Sequence, residues 1–226
     1  MDSLSIVLAI VLIVVFIALY KIFKTVIHAI MVMVTIISVL LIVASVMLVM
    51  DASDIKNKYP TEEKIFILAD NTTILTGFVQ GADLVPISPA ELAGYSAALN
   101  KKDYSAILGP HYKLFIIDIN AIDALPDGIM VDNQSLAKPQ LVDILEGKPS
   151  PLFIGADAQQ VRSGLFALSV QKVMSDPVFI ISQFRKGNII IYPETVLFKF
   201  LRYFPLRLIV SQLQSGLARV GNSSVV

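Results

Sequence analysis

The stretch "ALYKIFKTVIHA", residues 18–29, separates the two most apolar runs of the chain. Residues 4–20 carry no charge, and residues 26–49 are interrupted only by His28 and by small hydroxyl side chains. As helices these runs would be about 26 Å and about 36 Å long, and each length is close to the roughly 30 Å hydrocarbon thickness of a bilayer. Either run is therefore long enough to cross a membrane.

Two lysines between the runs determine how many crossings the sequence predicts. A single crossing would place Lys21 and Lys24 at mid-bilayer, at a cost of at least about 2.5 kcal/mol each, or would leave one run unsatisfied. Two crossings let this segment reach the headgroups, with both ammonium groups in water. The sequence therefore predicts a two-helix transmembrane hairpin, with helices at 4–20 and 26–49.

The first run differs from a cleaved signal peptide. It begins with Asp2 in place of a basic segment, and the residues that follow the run offer no site with small residues at the two cleavage positions. We therefore expect the run to be retained. With two crossings, the amino terminus and everything after Met50 would lie on the same side of the membrane.

Two signals bear on which side that is. The glycosylation pattern Asn-x-Ser/Thr occurs at Asn71, Asn133 and Asn222, all after the hairpin, where about one match is expected by chance. The concentration of lysines in the hairpin loop also favours an external domain, whereas a raw count of basic groups favours a cytoplasmic one. The sequence predicts an integral protein of the cell membrane with an extracytoplasmic domain.

Composition restricts the classes of chemistry that are available. The chain has no cysteine, which excludes disulfides, thiolate metal sites and cysteine nucleophiles. Its formal charge of zero combines an acidic part, residues 51–157, with a basic part, residues 158–226. Such asymmetry fits two oppositely charged surfaces that attract each other or different partners, and it equally fits two solvated faces. The basic part lacks a nucleic-acid motif, so no nucleic-acid partner is predicted.

After a juxtamembrane connector at 51–63, the pattern predicts an α+β lobe over residues 64–156. Alternating apolar residues predict a β-hairpin, and "YKLFIIDINAI" is typical of a buried strand that "GIMVDN" pairs beside. Ser88, Pro89 and Glu91 form a helix start with a capping box. Two shorter helices are predicted at 103–108 and in "KPQLVDILEG".

Residues 157–226 are predicted to form a helical C-terminal lobe that packs on the first one. Asp157 caps a helix over 158–175, and Asp176-Pro177 opens another that Gly187 closes. The segment "NIIIY" reads as an edge strand, and Pro193 and Glu194 open a helix that Pro205 divides. The predicted fold class is an N-terminal two-helix transmembrane hairpin followed by an α+β domain with a helical C-terminal half.

A Ser-x-x-Lys pattern is one candidate for catalysis, because membrane-anchored external domains include acyl enzymes that use it. The pattern occurs at Ser53–Lys56, Ser135–Lys138 and Ser169–Lys172, without the accompanying Ser-Asp-Asn or Lys-Thr-Gly motifs. The sequence therefore predicts no catalytic residue.

Oxygen and nitrogen ligands for a metal are also sparse. Asp118, Asp123, Asp127 and Asp132 come in one stretch, but they lack the every-second-residue spacing of a calcium loop. His111 is the only histidine outside the apolar runs, which argues against a histidine metal site or a histidine-based triad. The sequence predicts no metal and no cofactor.

One amphipathic segment, "YPETVLFKFLRYFPLRLIVSQL", points to a surface role. Five apolar side chains are predicted on one helical face, with Lys199 and Arg202 elsewhere; the five are Val196, Leu197, Phe200, Leu201 and Phe204. Such helices lie on membrane surfaces or cover partner grooves, and many simply pack on their own domain with a solvated basic edge. His28, one turn into the second run, is either a polar intramembrane residue or an interfacial one.

Three stretches together carry a resemblance: "YKIFKTVIHAI", "DASDIKNKYPTEEKIFILADNTTILTGF" and "GNIIIYPETVLFKFLRYFP". They resemble a group of small membrane-anchored proteins of archaea, over about half of the chain. The resemblance implies an archaeal envelope protein and brings no active-site residue with it.

These observations predict a membrane-anchored structural or interaction component of the cell envelope. Its expected partners are the lipid bilayer and either another protein or further copies of the chain. Two alternatives remain open, a membrane-tethered hydrolase and an accessory subunit of a transporter or channel complex. In a hydrolase, Ser135 or Asp118 would belong to the catalytic centre. In an accessory subunit, His28 and the apolar runs would pack into the larger complex.

Overall fold

The structure is a computed structural model that describes residues 3–131, 134–150 and 157–203. The chain divides into two compact units, Met1–Met50 and Asp51–Val226. The first is helical, and the second is an α+β domain. The predictions that concern Asp132, Asn133, Phe204, Asn222 and the helix after Pro205 lie outside the described residues.

The first helix corrects the predicted hairpin. α1 runs without a break over Ser3–Lys58, so the turn expected between 4–20 and 26–49 is absent. The physical reason lies in "KIFKT", residues 21–25, which contains no Gly, Pro or Asn to end a helix. Within that segment, the Thr25 hydroxyl donates to the Lys21 carbonyl oxygen at 3.0 Å. Local backbone preference thus favours one helix, of about 84 Å.

α1 also shortens the predicted connector. The helix continues seven residues past Asp51 to end at Lys58, so only the remainder of the segment 51–63 is non-helical. Lys56 and Lys58 lie in the last turn, where cations are favoured by the partial negative charge of a helix C-terminus. The domain therefore begins with two helical turns that share a helix with the apolar run.

α1 is the one helix in the described ranges that is long and apolar enough by itself to cross a membrane. All side chains from residue 19 to residue 47 are exposed. Its hydroxyl groups turn back to their own helix: those of Thr35, Ser38 and Ser45 donate to carbonyl oxygens four residues earlier at 2.7–2.9 Å. The polar groups of these side chains are thus satisfied without water.

The domain is built on a five-stranded sheet of order β3-β2-β1-β4-β7. The parallel pair β1 and β4 occupies the centre, and every other pairing is antiparallel. The bounds are β1 Lys64–Asp70, β2 Thr73–Gln80, β3 Leu84–Pro86, β4 Lys113–Asp118 and β7 Ile189–Tyr192. The β1–β2 hairpin is confirmed, with Asn71 in its turn at a positive φ of 52°, a conformation that Asn tolerates well.

Helices cover both faces of this sheet. Ile65 and Ile67 of β1 pack beneath α2 and α3 on one face, and Phe66 and Leu68 pack beneath α4 to α7 on the other. Because both faces are buried, the two central strands read as continuous apolar runs. The helices are α2 Pro89–Asn100, α3 Tyr104–Leu108, α4 Ile119–Asp123, α5 Lys138–Leu145, α6 Ala158–Ser175, α7 Pro177–Lys186 and α8 Val196–Tyr203.

Most of the predicted helix ends are confirmed. Ser88 and Glu91 form the capping box of α2, and Asp157 caps α6 through the amides of Gln159 and Gln160. Asp176 caps α7, which ends at Gly187 with a left-handed φ of 84°. Each of these signals is local, since it depends on residues within one turn of the helix end.

The prediction that "GIMVDN" pairs beside the buried strand is wrong. β5 Ile129–Val131 pairs instead with β6 Gln134–Leu136 in a separate two-stranded sheet. β4 has no free edge to offer, because β1 occupies one side and β7 the other. β7 comes from the C-terminal half, so that half contributes a strand to the main sheet as well as helices.

Candidate functional site

A groove of about 900 Å³ runs beside α6. We call it the α6 groove. Leu84 of the edge strand and Leu168 of α6 form its walls, and Phe78, Tyr59 and Met174 also line it. Leu84 and Leu168 are 44% and 38% exposed, respectively, so both walls present apolar surface to solvent.

The periodicity of α6 explains why the groove lies there. One side of the helix is buried in the core, through Leu165, Phe166, Ser169, Val170 and Val173. Gly164, Leu168, Gln171 and Ser175 recur at helical spacing on another side and line the groove. An added Cβ at Gly164 would meet no atom within 4 Å. The glycine thus leaves the middle of the groove open.

A second cavity of about 310 Å³ continues the groove along α6. Leu168, Gln171 and Ser175 line both cavities, and Met130 of β5, which is 62% exposed, lies at the far end. The continuous surface carries exposed apolar residues from β3, α6 and β5. Such a surface, concave and apolar with a few amide and hydroxyl groups, is typical of a binding site.

The ammonium groups of the two lysines at the groove donate hydrogen bonds to backbone carbonyl oxygens. Lys64 is only 3% exposed, and its ammonium group donates to the carbonyls of Tyr59 and Glu62 at 2.6 and 2.7 Å. Burial lowers the pKa of Lys64, since an apolar environment disfavours the charged form. Lys172 donates to the Gly128 carbonyl at 2.7 Å. The groove therefore presents mainly uncharged groups.

A buried polar cluster fixes α6 against the sheet. The hydroxyls of Thr76 and Ser163 lie 2.9 Å apart with both residues fully buried, and Ser163 also donates to the Gly77 carbonyl at 3.2 Å. Gln159 donates to the Ile87 carbonyl at 3.2 Å. Because unsatisfied buried polar groups are costly, this cluster permits one position of α6 and so one shape of groove.

The end of α1 is bonded into the domain at a second polar cluster. The Leu197 amide donates to Asp51 at 3.0 Å, and the Tyr112 hydroxyl donates to Asp54 at 2.9 Å. Asp54 also forms an ion pair with Lys58 at 2.7 Å. Beside them, Ile55 lines an apolar cavity of about 140 Å³. Residues 51–58 are therefore part of the folded domain.

The Tyr112–Asp54 bond predicts an alkaline loss of stability. Burial, together with the Asp54 hydrogen bond, raises the pKa of Tyr112 to about 12. The unfolded value is about 10, so the associated stability is complete below about pH 10 and is lost as pH rises towards about 12. Tyr112→Phe should therefore show a shallower fall in unfolding free energy over this range, measured by urea unfolding at a series of pH values.

Tyr203→Phe provides the control for that experiment, because Tyr203 is 82% exposed and the substitution removes one tyrosine hydroxyl without touching the Tyr112–Asp54 bond. Parallel stability profiles for Tyr112→Phe and the native chain between about pH 10 and about pH 12 would contradict the assignment.

The structure brings none of the Ser-x-x-Lys pairs into a hydrogen-bonded dyad. Ser169 is fully buried and donates to the Leu165 carbonyl at 2.8 Å, whereas Lys172 turns to Gly128. Ser53 accepts from the Asn57 amide group at 3.4 Å. Lys138 lies 3.9 Å from Asp123. A serine nucleophile needs its base within hydrogen-bond reach.

Asp118, Asp123 and Asp127 each lie against a different partner. Asp118 caps α4 through the Asn120 amide at 2.9 Å; Asp123 lies near Lys138 and Asp127 near Lys172. His111 lies 3.3 Å from Glu63. Within the described ranges, no three His, Cys, Asp or Glu side chains are grouped as metal ligands.

The sequence reasoning missed the α6 groove. The residues that line it come from segments far apart in the chain. The one local signal was the helical spacing of Gly164, Leu168, Gln171 and Ser175. By contrast, Asn71 was placed correctly in an exposed turn, where its side chain donates to Asp70 at 2.9 Å.

No family model, curated protein or solved structure matches this chain. The resemblance to archaeal membrane-anchored proteins therefore gains no support from these comparisons. The α6 groove and α1 remain as the features that indicate a function.

Proposed function

We propose that this chain is a membrane-anchored docking protein, in which α1 holds the domain at a membrane and the α6 groove binds a protein partner. The observation that carries the proposal is the exposed surface of α1 over residues 29–47, which is apolar apart from the hydroxyl side chains of Thr35, Ser38 and Ser45. Water is a poor environment for such a surface, and a bilayer is a favourable one.

The polar groups of α1 support the same environment. Lipid offers no hydrogen-bond partners, so each polar group within it must be satisfied by the protein. The hydroxyls of Thr25, Thr35, Ser38 and Ser45 all donate within the helix. A helix that satisfies its own backbone and hydroxyl groups is suited to a hydrocarbon environment.

The continuous helix favours a single crossing by residues 26–49. This run, about 36 Å long as a helix, places Lys21 and Lys24 at one membrane face and Asp51 at the other. Lysines flanking a span are favoured on the cytoplasmic side, which puts the domain outside. On the domain side, Lys58 is paired with Asp54 and Lys64 is buried, which weakens the count of basic groups that favoured a cytoplasmic domain.

With a single crossing by residues 26–49, the apolar run 4–20 lies outside the span, on the far side of Lys21 and Lys24. That run then needs cover from protein, supplied by further copies of the chain or by a larger membrane complex. A larger membrane complex would correspond to the alternative that the chain is an accessory subunit of a transporter or channel. Co-purification with polytopic membrane proteins in detergent would favour the complex, and a homo-oligomer free of other proteins would favour self-association.

For the α6 groove we propose an uncharged, apolar segment of a partner protein. The exposed walls at Leu84, Leu168 and Met130 offer burial to apolar side chains, and Gln80 and Gln171 offer amide groups. The groove adjoins the sheet edge at β3, where an extended segment can pair with the outer backbone groups. The lysines, already satisfied by carbonyl oxygens, give no preference for an anionic segment.

Filling the groove should weaken partner binding. Gly164→Phe places a ring into open space, and the loss of one buried partner side chain, worth about 1.5–3 kcal/mol, weakens binding at least about tenfold. A photo-crosslinking amino acid at Leu168 in the full chain, expressed in its native membrane, reports occupancy. We expect the crosslinked product to decrease in Gly164→Phe.

Gly94→Phe is the matched control, because an added Cβ at Gly94 also meets no atom within 4 Å and this glycine lies in α2, on the opposite face of the sheet. Retention of the crosslink in Gly164→Phe, or equal loss in both variants, would contradict a docking role for the groove.

A further inference from the structure

Helix α8 has an exposed face that takes no part in the proposed binding at the α6 groove. Val196, Lys199 and Tyr203 are exposed, and their spacing of three and seven residues places them on one side of the helix. Tyr203 is 82% exposed. The sequence predicted a face of Val196, Leu197, Phe200, Leu201 and Phe204, with Lys199 elsewhere, but Leu197 and Leu201 are partly buried and Lys199 shares the exposed side with Val196.

The opposite side of α8 is held by the domain. The ring of Phe198 lies 6.0 Å from that of Phe184. Arg202 lies over the Phe184 ring at 4.9 Å and pairs with Glu194 at 3.2 Å. These contacts fix the orientation of the helix, so its exposed face is a constant feature of the surface.

α8 begins beside Asp51, the first residue of the domain. The amide of Leu197 donates to the carboxylate of Asp51, and Asp51 comes two residues after the run 26–49 ends. α8 has eight residues, so its whole length stays within about 12 Å of that bond. The headgroup layer of a bilayer is roughly 5–8 Å thick on each side. An anchor that leaves the hydrocarbon near Met50 would therefore hold the first turn of α8 near the headgroup layer and keep the rest of the helix within about 12 Å of it.

The composition of the face suits that position. Tyrosine is enriched at membrane interfaces, because its ring is apolar and its hydroxyl needs a polar partner. Lysine favours a surface of anionic headgroups. Val196 adds apolar area one turn from Lys199. An exposed face of this kind, short and amphipathic, is typical of a helix that lies in the interface plane.

We propose that the exposed face of α8 lies on the bilayer beside the anchor, with Tyr203 in the headgroup layer and Lys199 on anionic lipid phosphates. This inference rests on the proposed anchoring by α1 and adds a second membrane contact. The contact would hold the domain at a fixed height and orientation on the membrane, so that the α6 groove is presented in one direction.

The chain contains no tryptophan, which allows a direct test. Tyr203→Trp in the full-length protein, reconstituted into vesicles of phosphatidylcholine and phosphatidylglycerol, places one fluorophore on the α8 face. Lipids brominated near the top of the acyl chain quench a nearby indole. We expect loss of emission for Tyr203→Trp and little loss for Val85→Trp, a control site that is 56% exposed on β3, at the other edge of the sheet.

A charge variant tests the lipid preference. Lys199→Glu in the Tyr203→Trp protein should reduce the quenching in vesicles that contain phosphatidylglycerol and leave it unchanged in pure phosphatidylcholine, because only the anionic surface repels the new carboxylate. Equal quenching of the lysine and glutamate proteins in both vesicle types would overturn the assignment of Lys199 to anionic phosphates.

Flotation of the vesicles separates the two levels of the proposal. Protein that floats with vesicles while Tyr203→Trp resists quenching like Val85→Trp would overturn the contact by α8 and leave the anchor standing. Protein that fails to float would overturn the anchor, and the contact with it. Flotation with selective quenching of Tyr203→Trp supports both.

Discussion

Phe66→Ala should lower the free energy of unfolding of the domain by about 3–5 kcal/mol. Phe66 is fully buried in β1, and its ring stacks between those of Phe78 and Phe115 at centroid distances of 5.0 and 4.8 Å. The alanine variant loses the transfer free energy of the ring and leaves a cavity, because the strands on both sides hold their positions.

The change can be measured by urea unfolding of the full chain in detergent, followed by near-ultraviolet circular dichroism of the aromatic core. Val85→Ala serves as the control, since that side chain is 56% exposed and should change stability by less than about 0.5 kcal/mol. A loss below about 1 kcal/mol for Phe66→Ala would mean that the aromatic stack is not the centre of the core.

The second large effect is expected in α1. Ile37→Arg combined with Leu40→Arg places two charges at the middle of the run 26–49, where each costs about 2.5–3.5 kcal/mol. Both side chains are exposed in the structure, at 43% for Ile37 and 62% for Leu40, so the substitutions remove no packing within the domain. We expect the double variant to move from the carbonate-resistant membrane pellet to the soluble or degraded fraction.

The isosteric double variant Ile37→Leu and Leu40→Ile should stay in the pellet with the native chain. If the arginine variant remained equally resistant to carbonate, residues 26–49 would not be the membrane-spanning segment, and the exposed surface of α1 would need another explanation.

Local signals in the sequence were sufficient for much of the domain. The turn at Asn71, the capping box at Ser88 and Glu91, and the left-handed Gly187 each depend on neighbouring residues, and all are present in the structure. The strand β4 was equally clear, because burial on both faces demands an unbroken apolar run.

The predicted hairpin failed because it rested on membrane energetics alone. The cost of burying Lys21 and Lys24 argued for a turn, but the intervening residues have no helix breaker, and the helix continues through them. The misplacement of β5 had a different origin, since only the three-dimensional order of strands shows that β7 takes the free edge of β4.

The candidate site was less accessible to prediction than the fold. A groove between α6 and the β2–β3 edge depends on contacts between residues far apart in the chain, such as Thr76 and Ser163, which are 87 positions apart. The Ser-x-x-Lys pattern had the opposite weakness, since a spacing of three residues brings two side chains to one helix face without directing them to each other. In α6 the buried Ser169 and the outward-turned Lys172 diverge.

The proposed single crossing by α1 is tested most directly by the side on which each end of the helix lies. The chain has no cysteine, so Ser3→Cys and Thr72→Cys each introduce a unique thiol for a membrane-impermeant maleimide. A single crossing with an external domain predicts that Thr72→Cys reacts in intact cells and that Ser3→Cys reacts only after permeabilisation. Equal accessibility at the two positions in intact cells would contradict it, and labelling of Ser3→Cys alone would place the domain inside.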